Sequence, residues 1–143
     1  MYIHILVATD GSARAERAVE AAMGLGAGMG ARLTFLTVIE PDPDDDRSRP
    51  GRLRPLPYSV RELRAEWVLA EAEAKALSVG FRTDAALVTS ASPSAAILAE
   101  AERRRCDLIV VGARGQSSWS AETMGSQAAR IVTESKIPVM VAR

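Results

Sequence analysis

Five short apolar runs punctuate this chain, Ile3 to Ala8, Leu33 to Ile39, Ala85 to Val88, Leu108 to Val111 and Pro138 to Ala142. Between them lie stretches with helical spacing or helix-start signals. Runs that are apolar almost throughout read as strands buried on both faces, which is the habit of parallel sheets. Strands alternating with helices predict an α/β fold, a parallel sheet with helices on both faces joined by right-handed crossovers. Five strands and four helices are expected. The 143 residues fit one compact domain spanning 1–143, long enough to bury roughly two thirds of its unfolded surface.

The first run ends at Thr9-Asp10-Gly11-Ser12, a turn and helix cap. A first helix follows from about Ala13, with Ala15, Val19, Ala22 and Met23 on one stripe, and the glycines of GLGAGMGA should end it. After the second strand, residues of about 40–57 carry five prolines and most of the local charge. This Pro/Arg/Asp-rich segment predicts a mobile excursion instead of regular structure. Val60, Leu63, Trp67, Ala70, Ala74 and Leu77 recur at helical spacing, so a second helix over about 59–78 is expected to turn this stripe, Trp67 included, toward the core. Ser92-Pro93 starts a third helix over Ser94 to Arg105, and Met124 to Glu134 forms the fourth.

Composition removes several function classes. Lys plus Arg and Asp plus Glu number 18 each, with no dense basic stripe, so no footprint for a nucleic-acid backbone is present. One cysteine, Cys106, and one histidine, His4, provide neither a disulfide framework nor a cluster with metal-ligand spacing. Both read as core residues. No segment reaches the apolar length of roughly 18 residues that a membrane span needs, and MYIHILVATDG lacks a basic leader, so a cytoplasmic protein is expected.

Chemistry concentrates in the last third, in GARGQSSWSAETMGS. A strand, a glycine-bearing loop and a helix N-terminus follow one another there. Such an arrangement lets phosphate approach bare backbone amides and the positive end of a helix dipole. If the first strand lies beside the fourth, the order becomes 3-2-1-4-5 and the winding reverses between them. Asp10 and Gly112 then meet at the switch point, where open α/β sheets bind ligands. Two other phosphate signatures do not apply. The Walker A pattern is missing because no Gly-Lys pair occurs in the chain. A GxGxx[GA] match at Gly26, Gly28 and Ala31 closes a helix and leads into a strand, the reverse of the dinucleotide-binding context.

The spacing Gly112-x2-Gly115-x9-Gly125-Ser126, with the opening VATDGS and the ending IPVMVAR, resembles the ATP-binding branch of the universal stress protein family over nearly the whole chain. The resemblance implies a flavodoxin-like, Rossmann-like sandwich of strand order 3-2-1-4-5 and a site for ATP, or for AMP or ADP. It also implies, frequently, a homodimer. It places Asp10 near the base or ribose, where a carboxylate can accept hydrogen bonds; the alternative is an N-cap, a role Ser12 can take instead. Val38 matches a position whose backbone contacts adenine in relatives, with core packing as the alternative. Gly112 and Gly115 correspond to positions admitting ribose and phosphates, and Gly125 and Ser126 to donors for the phosphate chain, against the plainer reading of turn geometry. Arg114 is the one cation among these residues, placed to offset phosphate charge or simply solvated. Two departures stand out. The family often carries a further hydroxyl residue two positions after the Ser, where this chain reads Gly125-Ser126-Gln127-Ala128, and the segment QSSWSAETM is more polar than usual.

No Lys, His or second carboxylate falls beside the expected γ-phosphate, so strong ATP hydrolysis is not expected. The leading expectation is an ATP-binding regulatory protein in which nucleotide occupancy modulates a dimer or a partner surface. The alternatives are a slow ATPase or adenylyl-transfer enzyme, with Mg²⁺ bridging the phosphates and Asp10 or Glu122 in support, and a nucleotide-free interaction protein. The apolar last strand is expected to pair with its twin in a homodimer unless covered.

Overall fold

Strands and helices alternate without exception in the computed structural model, which describes residues 1–41, 59–113 and 125–143. Their order is β1 (His4–Ala8), α1 (Ala13–Gly26), β2 (Arg32–Ile39), α2 (Val60–Ser78), β3 (Arg82–Thr89), α3 (Pro93–Arg103), β4 (Leu108–Gly112), α4 (Ser126–Glu134) and β5 (Val139–Ala142). The strands form one sheet of order β3-β2-β1-β4-β5, and every neighbouring pair is parallel. The α/β architecture and strand order expected from the sequence are those observed. Residues 42–57 of the Pro/Arg/Asp-rich excursion, Arg114, Gly115, Trp119 and Glu122 lie outside the described residues.

β1 sits at the centre, and its register explains its uniform apolarity. Ile5, Leu6 and Val7 pair with Leu33, Thr34 and Phe35 on one side and with Leu108, Ile109 and Val110 on the other. With both edges paired and both faces covered, Ile5, Leu6 and Val7 are fully buried, and only the strand ends His4 and Ala8 keep some exposure. Ile5 and Val7 face a core shared with Val19 and Ala22 of α1 and Leu69, Ala72 and Ala76 of α2. Leu6 faces the opposite core, with Ile97 and Ala101 of α3 and Ala128 and Ile131 of α4. Helices therefore cover both faces, α1 and α2 on one and α3 and α4 on the other.

The helix starts follow local chemistry. Ser12 Oγ accepts from the Ala15 amide at 3.2 Å, Ser59 Oγ from Glu62 at 3.1 Å and Ser92 Oγ from Ala95 at 3.4 Å. Each satisfies a first-turn N–H that the helix itself leaves unpaired. α1 ends at Gly26, which packs closely: a Cβ there would stand 3.0 Å from the Phe81 ring and 3.4 Å from Ala31 Cβ.

α2 corrects one expectation. Val60, Leu63, Trp67 and Leu77 are 80, 57, 62 and 57 % exposed, and the face on the sheet is Ala65, Val68, Leu69, Ala72 and Ala76. Both stripes satisfy a 3.6-residue period, since the helix carries apolar residues around much of its circumference. The one that packs is the alanine-rich one, whose small side chains let the helix axis approach the sheet closely. The weight given to Trp and Leu as core residues pointed to the wrong side.

His4 and Cys106 occupy the opposite end of the sheet from the site described below. His4 Nε2 lies 2.7 Å from Thr34 Oγ1, and partial burial, with Arg32 nearby, lowers its pKa. Cys106 is 5 % exposed, and burial pushes its thiol up to about 11. Among the described residues no helix is long and apolar enough to cross a membrane.

Candidate functional site

At the C-terminal edge of the sheet, α1 leaves β1 toward one face and α4 follows β4 on the other, so a crevice opens between the two strand ends. This is the switch point of a doubly wound sheet. The crevice, of about 350 Å³, is lined by Asp10 after β1, Val38 and Glu40 at the end of β2, Gly112 of β4, and Gly125 and Ser126 at the start of α4. That volume lies in the range of roughly 300–1,000 Å³ typical of small-molecule sites. Five of the seven site residues expected from the sequence, Asp10, Val38, Gly112, Gly125 and Ser126, therefore share one cavity wall. Arg114 and Gly115 fall outside the described residues.

The turn after β1 holds Asp10 in place through its own backbone. Asp10 Oδ1 accepts from the Ser12 amide at 2.9 Å, while Ser12, not Asp10, caps α1. Gly11 between them adopts φ +81°, and a Cβ there would meet Val68 Cγ2 at 2.7 Å. Only glycine fits both the left-handed conformation and the close approach of α2. Below the turn, Thr37 Oγ1 donates to the Thr9 carbonyl at 2.8 Å, fastening the end of β1 to β2.

Val38 reaches the crevice through backbone geometry. Residues two apart on a strand point their amide groups the same way. Leu36 O accepts from Thr9 N on the β1 side, whereas Ile39 O accepts from Ser90 N on the β3 side, each at 2.9 Å. The N–H and C=O of Val38 therefore face the β1 side, where the ladder has ended at Ala8 opposite Leu36. They are turned to the space that the chain vacates when it enters α1, and the side chain packs among Leu36, Ile97 and Val111 of its own core.

The start of α4 is built differently from the other three helices. Its N-cap is Gly125, at φ −62° and ψ 154°, with no side-chain cap. The Gly125 amide is used within the loop, donating to Ala113 O at 2.7 Å. The first-turn amides beginning at Ser126 thus have no capping side chain and stand at the positive end of the helix dipole, in the crevice wall. One neighbour was read from the sequence only as a departure. Gln127 lines the crevice and its Oε1 accepts from the Ser94 amide of α3 at 2.9 Å. Pro93 and Ile97 of α3 also line the crevice. They escaped sequence reasoning because no motif links α3 to the glycine loop; only the α3–α4 packing brings them there.

The model for the universal stress protein family matches residues 1–143. A universal stress protein of Thermus aquaticus, from a QAH/OAS sulfhydrylase 3' region, is 35 % identical over 146 residues covering 100 % of both chains. The crystal structure of a universal stress protein in complex with cAMP superposes with a TM-score of 0.75 at 27 % identity, over 99 % of this chain and 97 % of that one. The structure of the universal stress protein from Archaeoglobus fulgidus in complex with dAMP shares the fold, with a TM-score of 0.73 at 22 % identity, over 99 and 98 % of the two chains. By its whole-length match and its architecture, this chain belongs to the universal stress protein family.

Proposed function

We propose that the protein binds an adenine nucleotide in the crevice between β1 and β4, and that occupancy modulates its self-association or its surface for partners in a stress response. The observation that carries this reading is the meeting of a bare helix N-terminus, Gly125–Ser126, with the carboxylate of Asp10 and the unladdered backbone of Val38 in one cavity. One end of the cavity suits an anion, and the other suits a group with hydrogen-bonding edges and a flat apolar face. The family member crystallised with cAMP, 27 % identical over 99 % of this chain, supports the choice of an adenine nucleotide.

In this reading Asp10 accepts from ribose or base, and the Val38 backbone reads the adenine edge. Gly112 and Gly115 admit ribose and phosphate, Gly125 keeps the backbone bare where the phosphate chain approaches, the Ser126 amide and hydroxyl donate to it, and Arg114 offsets its charge. ATP, ADP and AMP all fit the scheme, and Mg²⁺ would accompany the phosphates. Among the described residues no group of three or more His, Cys, Asp or Glu side chains is arranged to hold a metal ion by itself. Self-association is assigned to β5, an edge strand in the sheet order whose Val139–Ala142 carries no charge. The other edge, β3, carries Arg82 and Asp84.

Titration of nucleotide-stripped protein with ATP and AMP, with and without Mg²⁺, beside a turnover assay, tests the proposal. Saturable binding with negligible turnover is expected. Binding of neither nucleotide would refute it, and fast turnover would move the reading to the enzymatic alternative.

A further inference from the structure

The start of α4 is joined to the start of α3 by one side chain. Gln127 Oε1 lies 2.9 Å from the Ser94 amide nitrogen. A backbone N–H can only donate, so the carboxamide has its oxygen toward Ser94 and its Nε2 amino group, with two donors, on the other side. Ser94 is fully buried, and its N–H belongs to the first turn of α3, where Ser92 Oγ is engaged by Ala95 instead. Without Gln127 that amide would lose its acceptor in a part-buried setting, so the bond favours this orientation of the carboxamide although Gln127 itself is exposed.

Two helix N-termini converge here. Pro93 of α3 and Gly125 to Ala128 of α4 all line the crevice, and Gln127 does so between them. Its immediate neighbour Ser126 begins the uncapped first turn of α4. An anionic group drawn to that turn comes within the span of the Gln127 side chain. Resting on the adenine-nucleotide reading of the same crevice, we infer that Gln127 is a specificity-determining residue for the phosphate end of the ligand. Its carboxamide, pinned by the Ser94 amide, presents Nε2–H donors to a phosphate oxygen.

Gln127→Glu separates this role from a purely structural one. The carboxylate still accepts from Ser94 N–H, and a negative charge at two helix N-termini leaves the fold as stable or more so. The same change substitutes an oxygen anion for the Nε2 donors. AMP affinity is expected to fall by about tenfold or more, as for a lost donor to a charged group plus like-charge repulsion, while adenosine affinity and the melting temperature do not fall. Gln127→Met, which keeps neither half of the carboxamide, is expected to weaken AMP binding less than the Glu variant and to lower the melting temperature. Equal loss of AMP and adenosine in Gln127→Glu, or unchanged AMP binding, would overturn the assignment while leaving the crevice as a nucleotide site. Wild-type protein binding neither AMP nor adenosine would overturn both.

Discussion

The amide of Gly125 donates to the carbonyl of Ala113 at 2.7 Å, joining the two ends of residues 114–124 to each other beside β4. Ala113 N in turn donates to Ala142 O at 2.8 Å, so the junction is also tied to β5. The hydrogen bond occupies the Gly125 N–H and leaves the amides from Ser126 onward at the mouth of the crevice.

In the proposed binding mode Asp10 stands at the other end of the cavity from the α4 start. Asp10→Ala is expected to weaken AMP and adenosine binding to the same degree, because its carboxylate addresses base or ribose and not phosphate. The variant also loses the bond to the Ser12 amide, a cost of about 1 kcal/mol in stability. Parallel titrations with the two ligands, and a urea melt, check both parts; a loss confined to AMP would contradict the placement.

The two faces of α2 make opposite predictions. Leu69 is 3 % exposed in the core beneath α2, so Leu69→Ala should cost about 2–5 kcal/mol. Trp67 is 62 % exposed, and Trp67→Ser should change stability by no more than about 0.5 kcal/mol. Denaturant midpoints of the two variants decide which face is the buried one.

Cys106 gives a pH signature. Burial raises its pKa from 9.0 to about 11 in the folded protein. The unfolded chain therefore releases this proton first as pH rises, and the stability associated with the buried neutral thiol, complete below about pH 9, drains away up to about pH 11. Unfolding free energy measured across this window should fall more steeply for the wild type than for Cys106→Ala, by on the order of 2 kcal/mol. Parallel curves would show that Cys106 does not titrate this way. The folded thiol should also react slowly with alkylating reagents near neutral pH, since the thiolate is the nucleophile.

The uncharged outer edge of β5 predicts a dimer that dissociates on dilution. Sedimentation velocity over a broad concentration range should show the mass fall from two chains to one. A monomer mass at every concentration would remove β5 as the self-association surface.

Much of this architecture was legible in the sequence because buried parallel strands leave so plain a mark. Ile5 to Val7 can be apolar on both faces only at the centre of a covered sheet. The packing face of α2 was not legible, since periodicity alone cannot choose between two apolar stripes when the closer one is made of alanine. Nor was the Gln127–Ser94 bond, which joins positions 33 residues apart through the packing of α3 on α4. Read from the sequence, Gln127 marked a departure from the family's hydroxyl pattern; in the fold it is a link between two helix starts.

The most direct test of the account is calorimetric titration of nucleotide-stripped wild type and Gly125→Ala with ATP. Gly125 has φ −62° and ψ 154°, a conformation open to any residue, so the added methyl should leave the fold stable while entering the phosphate end of the crevice. Binding by the wild type, lost in a variant that melts at the wild-type temperature, is the predicted result. Equal ATP binding by both proteins, or none by the wild type, would contradict it.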